Sequence, residues 1–323
     1  MNHPLRIGVL GCARIARKSV IPAILATDGC KLAAIASRRT DAAAEWAAEF
    51  GAAKSFDSYD DLLADPAIDA VYIPATGDQH YALTMAAAAA GKHVLCEKPL
   101  ATSTAEARQM VAACRDAGLL LMEAFMWRHH PRTLRTRELL ADGAIGELRL
   151  INVSFSFPLD PADWRMHPER GGGAMWDIGC YGVDAARLFT GSEPVAIDAR
   201  AHFADTGIDL SMTLGLRFPG DVLANIDCSF EVPWRCRLEL VGSTGRIEWG
   251  TAFQHWDPTI RLFQSSDCQV APEIIDSPTV SQYESLLLVF RDSVRAGRLQ
   301  APAEDGLANM YVLEMALQRS RER

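Results

Sequence analysis

The run Gly11-Cys12-Ala13-Arg14-Ile15-Ala16 follows the apolar segment Leu5–Leu10. A strand that turns through glycine into a helix leaves bare N–H groups at the helix start, where a pyrophosphate can sit. In a dinucleotide fingerprint, Gly11 makes the tight turn and Ala16 takes the third position. Ala13 stands where a second glycine usually lets backbone approach the phosphates, a mild departure. Taken alone, the motif also fits a βα turn with no ligand. The next strand ends in Ser37-Arg38-Arg39, not in the Asp or Glu that would hold a ribose 2′-hydroxyl. A hydroxyl and a planar guanidinium suit a 2′-phosphate, so NADP is the expected cofactor, with NAD possible. The bland reading is two solvated arginines opening a helix. Further along stand Lys98, at the end of another apolar run, and Asp177 and Tyr181, four apart after Gly171-Gly172-Gly173. On a helix that spacing puts the carboxylate and the phenol on one face.

Positioning these groups takes two kinds of sheet. Leu5–Leu10, Lys31–Ser37, Asp69–Pro74, His93–Cys96 and Leu119–Met122 are short apolar runs, as in strands buried on both faces. Helical stretches separate them, with capping boxes at Ser58–Asp61 and Ser103–Glu106 and terminal glycines at Gly91 and Gly118. Strands alternating with helices predict a doubly wound α/β Rossmann domain. After Pro131 a helix near Arg132–Asp142 leads into alternating runs at 151–157, 210–218, 222–230, 235–241, 246–249 and 260–264. Period two predicts an open antiparallel sheet, polar on one face. Helices are expected at about Ala174–Phe189, Gln282–Ala296 and Ala303–Arg321. The division predicted is 1–124 for an α/β dinucleotide-binding domain and 125–323 for an α+β domain.

Composition narrows the partners. Of 323 residues, 49% are hydrophobic, enough for two full cores and unlike a disordered chain. The net charge of −9 argues against nucleic acid and anionic membranes and leaves small-molecule chemistry. No apolar run reaches the ~18 residues of a membrane-spanning helix. Eight scattered cysteines with no CxxC fit a reducing compartment, and Ile7–Leu10 is too short for a signal-peptide core, so the cytoplasm is expected. With no HExxH, and with His129 and His130 adjacent, no catalytic metal is expected.

The segment Gly91-Lys92-His93-Val94-Leu95-Cys96-Glu97-Lys98-Pro99-Leu100 resembles the GKHV…EKP signature of the glucose–fructose oxidoreductase / inositol dehydrogenase / MocA (Gfo/Idh/MocA) family. Gly171-Gly-Gly-Ala-Met-Trp-Asp177-Ile-Gly179-Cys-Tyr181 is similar to its GGG…D…G…H motif, with Tyr181 where many members have His. Tyr181, together with Glu123–Arg128 and His130-Pro131, is similar to the subgroup of dihydrodiol dehydrogenases, aldose dehydrogenases and sugar 3-ketoreductases. Gly77 departs from the Asn common in relatives, whereas His80 matches the family's loop histidine. The resemblance implies that 1–124 is an NAD(P)-binding Rossmann domain and 125–323 a substrate-binding and oligomerisation domain. It implies a nicotinamide-dependent alcohol–ketone site for a sugar, polyol or trans-dihydrodiol. It also implies a homodimer or homotetramer joined through the open face of the C-terminal sheet.

Hydride transfer at a carbinol requires a group that takes or gives the hydroxyl proton, worth about 10²–10⁴-fold. Catalytic roles are expected for Tyr181 as proton donor and acceptor, Lys98 as its electrostatic partner, and Asp177 as acceptor of a substrate hydroxyl. Without the resemblance, Tyr181 would read as an amphipathic core residue. Cofactor contacts are expected from Gly11, Cys12, Ala13, Arg14, Ile15, Ser37, Arg38, Arg39, Pro74, His80, Glu97, Lys98, Arg128, Trp164 and Arg165. Trp164 and Trp176 are also candidate sugar-stacking walls. Asp160–Met166 and His255-Trp256 are expected to choose the substrate. A Lys98–Pro99 bond could be cis. The alternative function is a non-catalytic dinucleotide sensor on the same fold. NADPH is expected to bind more tightly than NADH; equal or tighter binding of NADH in a direct titration would contradict the reading of Ser37-Arg38-Arg39.

Overall fold

The computed structural model describes residues 3–39, 41–254, 256–265, 269–298 and 302–322. His255 and Cys268 lie outside the described residues. The chain divides into two compact units, Met1–Met126 with Ser281–Met310, and Trp127–Val280 with Tyr311–Arg323.

In the first unit six strands pair in parallel in the order β3-β2-β1-β4-β5-β6. They are β1 (Leu5–Leu10), β2 (Cys30–Ala36), β3 (Lys54–Phe56), β4 (Ala70–Ile73), β5 (His93–Cys96) and β6 (Leu121–Glu123). The connecting helices are α1 (Ile21–Ala26), α2 (Ala42–Phe50), α3 (Tyr59–Ala64), α4 (Gly77–Ala89) and α5 (Thr104–Asp116). Strand β4 is buried at every position, because helices cover both faces of a parallel sheet. The expected caps form: Ser58 accepts from Asp60 and Asp61 N–H, and Ser103 from Glu106 N–H. The order reverses between β1 and β4, which opens a crevice at their C-terminal ends.

The second unit holds α6 (Pro131–Ala141) and an eight-stranded sheet. Its strands are β7 (Leu148–Ser156), β8 (Ala196–Phe203), β9 (Asp209–Arg217), β10 (Leu223–Ser229), β11 (Arg235–Gly242), β12 (Arg246–Trp249), β13 (Ile260–Phe263) and β14 (Glu273–Ile275). The order is β14-β13-β12-β11-β7-β10-β9-β8. The sheet departs from the expected antiparallel pattern at one pair: β10 lies parallel to β7, Leu150 opposite Leu223 through Ser156 opposite Ser229. Period two reports burial, not direction, so this pair was invisible in the sequence. Leu214, Leu216, Ile226, Cys228, Leu238 and Leu240 are buried on one face. The other face is polar and bounds a hollow of about 1000 Å³ lined by residues such as Asn152, Thr213, Asn225, Arg237 and Glu239. The helix α7 (Cys180–Thr190) covers the apolar face.

The last two helices are α8 (Gln282–Ala296) and α9 (Ala303–Arg321). Residues 281–310 return to the first unit, a feature absent from a single division near residue 125. There α8 packs on α1, and Arg291 donates to the Asp28 carbonyl. A helical pattern shows that one face is buried, not which sheet covers it.

Lys92, in the middle of the GKHV motif, is 6% exposed and donates its ammonium to the Asp65 and Ile68 carbonyls at 2.8 and 2.9 Å. Burial pulls its pKa below the ordinary lysine value. Lys92 therefore staples the α3–β4 turn beneath the sheet. Lys92→Met is expected to lower the unfolding free energy by about 2 kcal/mol and leave dinucleotide affinity unchanged. Urea unfolding and a binding titration check both parts, and an unshifted midpoint would overturn the staple.

Candidate functional site

The C-terminal edge of the parallel sheet gathers one set of candidate residues. Strand β1 ends in Gly11, whose φ of +124° strains any L side chain. A Cβ there would lie 3.4 Å from the Tyr59 hydroxyl. Cys12 and Ala13 then lead into helix at Arg14 and Ile15, which continues as a π-helical turn at Ala16–Val20. At the end of β2, Arg39 donates to the Cys12 carbonyl at 2.6 Å, and its backbone N–H to the hydroxyl of buried Ser37 at 3.1 Å. The Arg38 guanidinium lies 5.4 Å over the Tyr59 ring and donates to Gln79. Pro74 follows β4, and Glu97 and Lys98 follow β5. A glycine-bared turn, a helix start and two guanidinium groups at one sheet edge fit a phosphate-bearing dinucleotide, and a positive edge within a chain of net charge −9 suits that anion.

Two members of this set are committed to the protein. Glu97 accepts from the buried Tyr72 hydroxyl at 2.7 Å and from the Lys98 N–H at 3.3 Å. Its carboxylate thus props the backbone of the half-buried Lys98. His80 is 1% exposed, with Nδ1 2.9 Å from the Pro99 carbonyl and Nε2 2.9 Å from the Ala75 carbonyl. Burial lowers its pKa against the pull of those two carbonyls. The ring ties the segment after β4 to the segment after β5. The Lys98–Pro99 peptide is cis.

The second unit carries the other set: Arg128, Trp164, Arg165, Asp177 and Tyr181. A π-helical turn at Met175–Gly179 holds Asp177 and runs directly into α7, which holds Tyr181. Such turns recur at functional sites. The glycines before and within this helix allow close approach. A Cβ on Gly172 would run into the Arg165 and His167 carbonyls, and one on Gly173 into the Asp209 carboxylate. On Gly179 it would meet Met175 Sδ at 2.6 Å and Cys228 Sγ at 3.0 Å, and on Gly182 it would strike Ile226. The helix therefore lies against β10, and the Tyr181 ring, 6% exposed, packs on Phe155 at 5.5 Å and Phe253 at 4.9 Å between ring centres.

Asp177 is 8% exposed and accepts from Arg165 Nε at 2.7 Å. Arg165 also pairs with Asp163 at 3.1 Å and stacks over Trp164 at 4.6 Å. Burial pulls the Arg165 pKa down, but Asp177 and Asp163 outweigh it and hold the guanidinium firmly charged. Arg128 forms a two-pronged pair with the buried Asp184, at 2.9 and 2.6 Å. Sequence reasoning passed over Asp184 and Asp209, each an ordinary acidic residue in a helix or strand pattern with no motif around it, and did not single out Asp163 within the Asp160–Met166 loop. Among the described residues no group of three or more His, Cys, Asp or Glu could hold a metal ion, and no helix is long and apolar enough to cross a membrane.

Residues 5–125 match the oxidoreductase family with NAD-binding Rossmann fold, and residues 133–248 match the GFO/IDH/MocA C-terminal domain. The chain is 40% identical to D-xylose 1-dehydrogenase (NADP(+)) 2 of Haloferax volcanii, over 91% of this chain and 90% of that one. It is 36% identical to a dTDP-3,4-didehydro-2,6-dideoxy-alpha-D-glucose 3-reductase of Saccharopolyspora spinosa, over 98% and 96% of the two chains. Among solved structures it is similar to a 3-ketoreductase from Actinomadura kijaniata in complex with NADP and TDP-benzene, with a TM-score of 0.90, 33% identity and 97% of each chain covered.

Asp209, 2% exposed, accepts from the Met175 N–H at 2.6 Å and so caps the helix start beneath Asp177. Burial raises its carboxyl from the ordinary 3.8 to about 7, against the pull of Met175 N–H. The folded chain thus holds this proton more tightly than the unfolded one. The stabilisation is complete below 3.8 and lost as pH rises to about 7. Asp209→Asn is expected to flatten the fall in stability between about pH 5 and about pH 8. Urea unfolding at both pH values checks it; parallel pH slopes for the two proteins would contradict the buried proton.

Proposed function

The chain belongs to the Gfo/Idh/MocA oxidoreductase family, and from that premise we propose that it is an NADP-preferring dehydrogenase/reductase acting on a carbinol or carbonyl of a sugar, polyol or trans-dihydrodiol. The observation that carries this reading is the shared sheet edge: Lys98 follows β5 at the same C-terminal edge where β1 turns through Gly11. Ser37, Arg38 and Arg39 support NADP, and the Haloferax relative is named for NADP. In the proposed division, residues 1–124 bind the dinucleotide and 125–323 supply substrate contacts and the oligomer interface. The polar hollow on the eight-stranded sheet is the surface proposed to join two or more copies.

Bound at the first unit, the dinucleotide supplies the hydride acceptor or donor. The chain's own groups then handle the proton. The Tyr181 phenol donates to the carbonyl oxygen in reduction and accepts from the hydroxyl in oxidation. A phenol of ordinary pKa near 10 is a poor base at neutral pH, and a lysine ammonium acting beside it favours phenolate. Lys98 takes that part and stabilises developing charge on the substrate oxygen. Asp177 accepts a neighbouring substrate hydroxyl, oriented by Arg165. Pro74, His80 and Glu97 shape the dinucleotide edge, and Arg128, Trp164 and Trp176 flank the substrate side.

Tyr181→Phe is expected to cut turnover by about 10²-fold or more, with dinucleotide affinity nearly unchanged. A panel of aldoses, polyols and dihydrodiols with NADP⁺, followed by NADPH absorbance, provides the assay. Near-normal turnover in the variant would refute the phenol's role. Tight dinucleotide binding without turnover of any compound would instead favour a sensor.

A further inference from the structure

Arg132 begins α6 and is 3% exposed. Its guanidinium donates to the carbonyls of Asp257 at 2.6 Å, Thr251 at 3.1 Å, Gln254 at 3.1 Å, and Ala252. It lies 4.3 Å over the Trp249 ring. A buried cation aimed at four backbone carbonyls of one short segment is costly unless it organises that segment. Burial lowers its pKa only to about 10, so the charge persists at neutral pH. The other side of the segment is tied to β11: Ala252 N–H donates to the Cys236 carbonyl at 2.8 Å, and Phe253 N–H to Cys236 Sγ at 3.4 Å. The product of these ties is the placement of Phe253, fully buried, with its ring 4.9 Å from that of Tyr181 and inclined to it by 35°.

We propose that Arg132 is a positioning residue for Tyr181, acting through Phe253: it gathers the carbonyls of Thr251, Ala252, Gln254 and Asp257 and so fixes the aromatic wall against which the phenol is held. The proposal rests on Tyr181 being the proton donor and acceptor. Lysine does not replace arginine here, since one ammonium with three donors cannot satisfy four carbonyls and lacks the planar fork that lies over Trp249. Loosening the wall lets the phenol sample orientations that miss the reacting oxygen, which lowers turnover more than binding. It also changes the apolar packing that sets the phenol's own ionisation.

The test compares full-length wild type with Arg132→Lys, Phe253→Leu and Tyr181→Phe. The protein is labelled with ¹³C at the tyrosine ring carbon bearing the hydroxyl, and the Tyr181 resonance is the one lost in Tyr181→Phe. Arg132→Lys and Phe253→Leu are each expected to shift the Tyr181 titration midpoint by about half a unit or more. Each is expected to lower kcat by about tenfold, with a smaller change in KM, for the sugar in the panel turned over fastest. NADPH affinity is expected to stay within twofold of wild type. An unshifted midpoint and unchanged kcat in Arg132→Lys, while Tyr181→Phe loses turnover, would overturn the role of Arg132 whatever Phe253→Leu does. Full turnover in Tyr181→Phe would overturn the phenol's role and this proposal with it. If Arg132→Lys fails to fold, Phe253→Leu decides, because Phe253 is the route by which Arg132 acts: an unshifted midpoint and unchanged kcat there overturn the proposal.

Discussion

A helix approaches a sheet only as closely as the side chains between them allow, and the substrate-side unit depends on that limit. Gly179 and Gly182 bring the helix bearing Asp177 and Tyr181 down onto Cys228 and Ile226 of β10. Gly172 and Gly173 bring the preceding loop against Arg165, His167 and Asp209. With any larger residue at these positions the helix would stand off. Tyr181 would then lose its contact with Phe155 and Phe253, and Arg165 would no longer reach Asp177. Gly172, Gly173, Gly179 and Gly182 are therefore packing devices first. The chemistry of the carboxylate and phenol follows from where these glycines set them.

The charged groups obey a related rule. Ions out of bulk water keep their charge only where partners replace hydration. Arg128 has Asp184, Arg165 has Asp177 and Asp163, Lys92 has two carbonyls, and Arg132 has four. Arg38 and Arg39 stand apart from these. They remain exposed at the end of β2, bonded to Gln79 and to the Cys12 carbonyl. Guanidinium groups held in place yet hydrated can meet a phosphate without first breaking a buried pair, which suits the edge proposed to receive the dinucleotide.

How far the sequence could be read varied with burial. Strands β1 and β5 and helices α8 and α9 fell where apolar runs and helical periodicity put them, to the residue. The strands left unread were β3, β8 and β14, and all three are sheet edges. An edge strand pairs on one side only and buries few side chains, so neither a continuous apolar run nor a clean alternation marks it. The placement of Gly11, Ser37–Arg39 and Lys98 at strand ends was legible because a tight turn and a strand end restrict which residues serve there. Arg132, Asp209 and Phe253 were not, because each matters through a partner far away in the chain.

By itself, then, the sequence determined the class of each unit and the residue types gathered at the sheet edge and on the helix after the triple glycine. These follow from periodicity and short motifs, which are local. Tertiary structure alone decided that β10 runs parallel to β7, that residues 281–310 rejoin the first unit, and that Arg165 is spent on Asp177. It also decided that His80 bridges two carbonyls and that Arg132 holds the segment behind Tyr181. Those outcomes depend on which distant groups satisfy a buried charge or hydrogen bond, and no local pattern records that choice.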